Sequence, residues 1–131
     1  MNKKGIRDTK NNPSPKTNQI SRDTLIHLAI ESWRLSKTFE SLLQKAEINE
    51  QKKYKGKLCW FNEKLKDTLK EIDLILVNTE GHRFDTGMAV RAINIDEFEQ
   101  GENLIVDNML EPIVLDTQGV VKSGTVILKR A

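Results

Sequence analysis

The spacing of apolar residues changes once along this chain, close to Ile72, and this change limits the fold more than any other feature of the sequence. Before Ile72, large apolar residues recur at three- and four-residue steps, which is typical of amphipathic helices. After it, short runs rich in valine and isoleucine alternate with turn residues, which is typical of strands. The sequence therefore predicts an α+β fold in which the helices come first.

Two helices are predicted before the change. Ser21 and Asp23 are good N-cap residues, so the first helix is expected to begin near residue 22 and to run to about Ile48. Residues 49–57 are polar and lysine-rich, so either the turn lies within them or the second helix starts there. The apolar stripe of the first helix consists of Leu25, Ile26, Leu28, Ile30, Trp33, Leu35, Phe39, Leu42, Leu43 and Ala46, and the seam of the second consists of Leu58, Phe61, Leu65, Leu69 and Ile72. Residues 21–73 are thus predicted to form a helical hairpin.

One hairpin cannot cover so broad an apolar stripe, because each helix buries only one face against the other. A four-helix bundle made by two chains is the simplest cover, and closed twofold dimers are the commonest oligomers. The residues predicted at this dimer interface are Leu28, Trp33, Leu35, Phe39, Leu42, Trp60, Phe61 and Leu65. The alternative is that these faces pack against the β-domain of the same chain.

Residues 74–131 are predicted to form a small antiparallel β-domain. Its apolar runs are Leu74–Val77, Met88–Ile95, Leu104–Val106, Ile113–Leu115 and Val126–Leu128. Turn residues separate the runs, among them Gly81, Gly101, Pro112, Gly119 and Gly124. Short strands joined by frequent turns describe a compact antiparallel β-structure.

Charge is distributed unevenly along the chain. Residues 1–20 contain five basic side chains and one acidic side chain, so they carry about +4, whereas the remainder of the chain carries about −2. With few apolar residues to bury, this basic segment is predicted to be a disordered, solvated tail. Contact with nucleic acid through the tail is the alternative, but the acidic balance of the remaining chain argues against it.

Nothing in the sequence predicts catalysis, a metal site or a cofactor. Cys59 is the only cysteine and has no partner at metal-ligand spacing, and His27 and His82 lie far apart without a nucleophile motif. The acidic residues 96–102 lack the order of an EF-hand loop, and no phosphate-binding glycine motif occurs. No apolar run is long enough for a membrane span or a secretory signal, so a cytoplasmic location is expected.

The order of residues in the last third of the chain resembles the β-domain of the GrpE family of nucleotide exchange factors. Phe84-Asp85 matches the family's entry to that domain, and Ala92–Ile95 is similar to its first long strand. Residues 100–106 are similar to the following turn and strand. Leu115–Gly119 is similar to the family's Leu-Asn-Gly hairpin, and Val120–Leu128 to its closing strand. The resemblance covers about residues 22–130.

Two departures from the family pattern concern partner binding. Ala89 stands where the family has a histidine, and no arginine follows the hairpin glycine, Gly119. Lys122 offers a positive charge nearby, but an ammonium group does not reproduce a bidentate guanidinium group. The long N-terminal coiled coil of the family is replaced by the short basic tail, so the chain resembles a reduced or divergent member.

The resemblance implies a homodimer that carries no active site and promotes ADP release from a DnaK-type chaperone ATPase. The partner contacts that it implies are Met109, Leu110, Pro112, Ile113 and Lys122. The second hypothesis is an adaptor that keeps a GrpE-like fold but binds a different ATPase or another partner protein. A dimer that binds nucleic acid and a small enzyme are the weaker hypotheses.

Overall fold

A computed structural model describes residues 15–131, with side chains from Ser21 onward. Residues 1–14 of the predicted disordered tail lie outside the described residues, and residues 15–20 are helical, so the prediction of disorder is wrong for them. The described elements are the helices α1 (Pro15–Gln44) and α2 (Ile48–Lys70), the strands β1 (Ile75–Val77), β2 (Val90–Ala92), β3 (Leu104–Glu111), β4 (Ile113–Asp116), β5 (Gly119–Lys122) and β6 (Gly124–Arg130), and a 3-10 turn (Ile95–Glu97). The α+β order of helices before strands is confirmed.

The helix boundaries differ from the predicted ones. Helix α1 begins at Pro15, several residues before the expected start, and proline is well suited to a first helical turn because the missing N–H would be unpaired there. The chain then turns at residues 45–47 and α2 begins at Ile48, so the whole polar segment 49–57 is helical and the turn lies before it. Within the described residues, no helix combines the length and the apolar character needed to cross a membrane.

Helix α2 ends in a Schellman motif that directs the chain into β1. Asp73 has a φ of 59°, the Leu74 N–H donates to the Leu69 carbonyl at 2.9 Å, and the Asp73 N–H donates to the Lys70 carbonyl at 3.1 Å. The side chains of Leu69 and Leu74 are both buried in the same apolar cluster, as this motif favours. The boundary between helix and β-structure is therefore fixed by local hydrogen bonds and by packing.

The strands form two three-stranded sheets. The first has the order β1-β4-β5 and is antiparallel throughout, and the second has the order β2-β6-β3. In the second sheet β3 is antiparallel to β6, but Val90–Ala92 runs parallel to residues 124–126. The prediction of a wholly antiparallel β-domain is therefore wrong for β2. The chain enters β6 at the same end of the sheet at which it enters β2, so the two strands run in the same direction.

After β2, the chain crosses between the sheets at two further points, each across a single residue. Strands β3 and β4 are separated only by the buried Pro112, and β5 and β6 only by Ser123. The segment that resembles one closing strand, Val120–Leu128, is thus split between the two sheets. Gly124 lies directly after the second crossing, where a Cβ atom would stand 2.6 Å from the Met109 Cε and 2.8 Å from the Glu111 carbonyl oxygen.

Two apolar clusters hold these elements together. The first joins both helices to the first sheet and contains Ile26, Ala29, Ile30, Leu69, Leu74 and Val114. The second fills the second sheet and contains Leu104, Val106, Met109, Ile113, Val126 and Leu128. Trp33 of α1 packs against the second cluster, so α1 contacts the interior of both sheets. Burial of this kind stabilises by about 25 cal/mol per Å² of apolar surface.

Candidate protein-binding surfaces

An uncovered apolar stripe lies on α1. Leu28, Leu35 and Leu42 are spaced by seven residues and are 63%, 69% and 62% exposed. Phe39 lies between the last two leucines on the same side and is 37% exposed. We call these four residues the leucine stripe. Residues spaced by seven lie on nearly the same line of a helix, so the stripe is a continuous surface.

The leucine stripe is exposed because α1 uses a different face for its own packing. Ile26, Ala29 and Ile30 are buried, and at 3.6 residues per turn they point roughly 100–160° away from Leu28. On α2, Phe61 is 37% exposed and Trp60 is 64% exposed. Both helices therefore offer apolar side chains that this chain does not cover.

The eight residues predicted at a dimer interface fall into two groups. Six of them are exposed, namely the leucine stripe together with Trp60 and Phe61. The other two, Trp33 and Leu65, are half-buried against the second and the first apolar cluster of the same chain. Packing on the β-domain therefore accounts for Trp33, and packing within the chain accounts for Leu65.

Three of the predicted partner contacts lie in the interior of the β-domain. Met109, Pro112 and Ile113 are buried, and the Met109 Sδ accepts a hydrogen bond from the Thr79 N–H at 3.2 Å. Their side chains face inward because this part of the chain crosses from one sheet to the other through the core. The prediction that these three side chains are surface contacts is therefore wrong, because they are buried.

Leu110 and Lys122 are partly exposed. Leu110 is the extra residue of a β-bulge in β3, because Met109 and Glu111 pair with the neighbouring residues of β6. The Lys122 ammonium group lies 3.7 Å from the Glu111 carboxylate, which also accepts a hydrogen bond from the Thr125 hydroxyl at 2.8 Å. The Thr125 hydrogen bond and then the nearby Lys122 charge hold the pKa of Glu111 below its ordinary value.

The β4–β5 hairpin carries two exposed apolar side chains. Val120 is 52% exposed and Val121 is 38% exposed, and Val121 is the extra residue of a bulge in β5. The turn is fixed by the Gln118 N–H, which donates to the Asp116 carboxylate at 2.8 Å, and by Gly119, whose φ is 127°. Two adjacent valines after a turn glycine are the sequence signal for this exposed edge, and the sequence prediction did not use it.

Polar contacts attach α1 to the β-domain at two positions. The Arg22 guanidinium group donates to the Ile72 carbonyl at 3.3 Å and to the Asp116 carboxylate at 3.2 Å. About four turns further along α1, the Lys37 ammonium group is paired with the Glu80 carboxylate, which also accepts from the Met109 N–H at 2.8 Å. These contacts fix the orientation of the β-domain relative to the helices.

The residues that could carry chemistry are dispersed. Cys59, His27 and His82 are exposed on α2, on α1 and in the loop between β1 and β2. In the part of the chain that the structure describes, no group of three or more histidine, cysteine, aspartate or glutamate residues is placed to hold a metal ion. The features that stand out are surfaces suited to contact with other proteins.

Comparison with known proteins adds no relative to this picture. No family model, no curated protein and no solved structure matches the chain.

Proposed function

We propose that this chain is a GrpE-like nucleotide exchange factor that carries no active site and acts as a homodimer on a DnaK-type ATPase. The proposal rests on the resemblance of residues 84–130 to the family's β-domain, on the leucine stripe and on the exposed hairpin. The leucine stripe would join two copies through their helices, in the cytoplasm, and the hairpin would contact the ATPase.

The observation that carries the proposal is the separation of the two uncovered surfaces. The leucine stripe lies on α1, whereas Val120 and Val121 lie at the edge of the first sheet, in the β-domain. Side chains of α1 that face the β-domain, Arg22 and Lys37, hold these two parts in one orientation. A dimer formed through the stripe would therefore present two hairpins in a defined arrangement.

The proposed mechanism needs no bond chemistry in this chain. A docking protein accelerates nucleotide release when it binds the open form of the ATPase more tightly than the closed form. The equilibrium between the two forms can shift only by this difference in affinity. A rigid connection between helices and hairpin serves this purpose, because a flexible arm would fit both forms equally well.

The test measures the release of fluorescent ADP from a purified DnaK-type chaperone. Wild-type protein at micromolar concentration is expected to accelerate release. Val120→Glu is expected to lower that acceleration about tenfold or more, because it places a charge in an apolar contact. Ile93→Glu is the matched control, since Ile93 is 50% exposed on another edge of the β-domain. Wild-type protein that leaves the release rate unchanged would exclude exchange activity on that chaperone.

The second candidate is an adaptor with a GrpE-like fold that binds a different ATPase or partner protein. Three features favour it: Ala89 stands in place of the family's histidine, no arginine follows Gly119, and Lys122 is already paired with Glu111. The adaptor hypothesis predicts that the purified chaperone and the wild-type protein form no complex in a biosensor experiment. A complex that forms without acceleration of ADP release would instead indicate binding of both chaperone forms with equal affinity.

A further inference from the structure

A third surface, separate from the leucine stripe and the hairpin, is a cleft of about 360 Å³ between the two helices and β1. Its apolar lining includes Trp33, Leu65, Leu69 and Leu76. This volume is within the range of about 300–1,000 Å³ that is usual for ligand sites in proteins. The cleft is therefore large enough for several side chains of a bound molecule.

The cleft runs along the edge of β1 rather than over one face of the sheet. Ile75 and Leu76 are adjacent in β1 and both line it. Successive side chains of a strand point to opposite faces, so a space that touches both must lie beside the strand. The opposite edge of β1 is occupied by β4, and β1 is the outer strand of its sheet. The cleft thus borders the free edge of β1.

That edge has backbone groups available for pairing. In an antiparallel pair, the N–H and C=O groups of alternate residues point toward the partner strand and those of the intervening residues point away. Either Leu76 or its two neighbours, Ile75 and Val77, must therefore direct these groups away from β4. Among the described residues, no hydrogen bond outside the sheet satisfies them. An exposed strand edge of this kind can pair with an extended segment.

The rim of the cleft is basic on the side of α2. Lys66 and Lys70 are one turn apart, both line the cleft and both are exposed. No salt bridge to either lysine occurs in the described part of the chain. Glu40 lines the opposite side, on α1. Acidic groups of a bound molecule would therefore be attracted toward α2.

Other parts of the same protein fit the cleft poorly. Residues 1–14 carry four basic side chains and one acidic side chain, so they have the same sign of charge as Lys66 and Lys70 and would be repelled by them. A second copy bound through the leucine stripe would occupy a different face of α1, since Trp33 and Lys37 point roughly 140–180° away from Leu28 at about 100° per residue. The cleft stays accessible in the proposed dimer.

We propose that this cleft binds an extended acidic segment of a partner protein, which adds as a strand to the free edge of β1. Main-chain hydrogen bonds to β1 would supply part of the affinity, as in other cases of strand addition. Apolar side chains of the segment would enter the space between Trp33 and Leu69, and its carboxylates would pair with Lys66 and Lys70. This site is independent of the hairpin and of the identity of the ATPase.

The test uses a short synthetic peptide in which valine and glutamate alternate, with both ends capped. Titration into isotopically labelled protein is expected to shift the amide signals of Ile75–Val77 in a saturable manner. Lys66→Glu combined with Lys70→Glu should weaken binding by about tenfold or more. Lys52→Glu combined with Lys55→Glu is the matched control, because it makes the same charge change on the same helix, outside the cleft lining.

Two altered peptides distinguish strand addition from simple attraction of charge. A peptide with lysine in place of glutamate should not bind, and a peptide methylated on the nitrogens of one edge should bind at least about tenfold more weakly, because it cannot form the main-chain pairs. Equal binding of the methylated peptide would show that the site accepts any anionic group and would overturn the proposal. Absence of saturable shifts at Ile75–Val77 would overturn it as well.

Discussion

At the scale of single residues, the direct crossings between the two sheets leave little room for a side chain at Gly124. Gly124 is buried against the end of the Met109 side chain and the main chain of Glu111, and Pro112 is buried at the neighbouring crossing. Two segments of main chain approach closely here because each continues from one sheet into the other. Only a residue without a Cβ atom leaves room for that approach.

Gly124→Ala is therefore expected to destabilise the protein by roughly 1–3 kcal/mol, since the added methyl group meets the Glu111 carbonyl, which cannot move away easily. Gly56→Ala is the control. Gly56 lies inside α2 with open space around its Cα, so alanine should stabilise the helix by up to about 1 kcal/mol. Urea unfolding of both variants measures the difference. Equal midpoints for Gly124→Ala and the wild type would contradict the close approach.

At the scale of elements, α1 has two apolar faces with separate roles. One face contains Ile26 and Ile30 and packs inside the chain, and the other is the leucine stripe. Helix α2 contributes to the hairpin through an edge-to-face contact between Phe39 and Tyr54, whose ring centroids lie 6.5 Å apart, and through a hydrogen bond between Ser36 and Asn62. A helix with two such faces is typical of a bundle that continues into a second molecule.

Leu35→Glu tests the role of the leucine stripe. We expect the wild type to have twice the 15.0 kDa mass of one chain in light scattering, and Leu35→Glu to raise the dissociation constant of the dimer by about tenfold or more. The circular dichroism of the variant should stay helical, because Leu35 is 69% exposed within the chain. Ser41→Glu, on another side of α1, should leave the mass unchanged. A wild-type mass of one chain at micromolar concentration would contradict the dimer.

At the scale of the whole molecule, the helices and the β-domain form one packed unit. Val114 of β4 is fully buried in the cluster that also contains Ile30 and Leu69. The pair between Lys37 and Glu80 adds a polar contact at the other end of the same interface. Burial raises the pKa of Glu80, but the hydrogen bonds from Lys37 and from the Met109 N–H, with the Lys37 charge, outweigh it, so that the pKa lies below its ordinary value.

The contribution of Glu80 to stability should therefore depend on pH. This contribution is fully present above the ordinary glutamate pKa of about 4.3. It is lost as the pH falls through the lowered pKa of the folded state, because Glu80 is then protonated and no longer forms an ion pair with Lys37. Glu80→Gln should cost about 1 kcal/mol at pH 7 and progressively less in acid, as measured by urea unfolding. Glu63→Gln on the exposed surface of α2 is the control. A cost for Glu80→Gln that does not change with pH would contradict the ion pair.

The sequence by itself determined the element types, because periodicity follows from which faces of a helix or strand are buried. The change after Ile72 predicted helices followed by strands, and the stripe on α1 predicted an apolar face beyond the needs of one hairpin. Six of the eight predicted interface residues, among them Leu28, Leu42 and Trp60, are exposed as that prediction requires. Whether they join two copies stays a prediction.

Only the tertiary structure decided which way particular side chains point. Met109, Pro112 and Ile113 have the composition of a contact surface, but they lie inside because the chain crosses between two sheets at that point. Neither the parallel pairing of β2 with β6 nor the cleft beside β1 leaves a local signal, since both depend on residues brought together from distant parts of the chain. Local spacing fixes an element, whereas long-range packing decides which of its surfaces remain free.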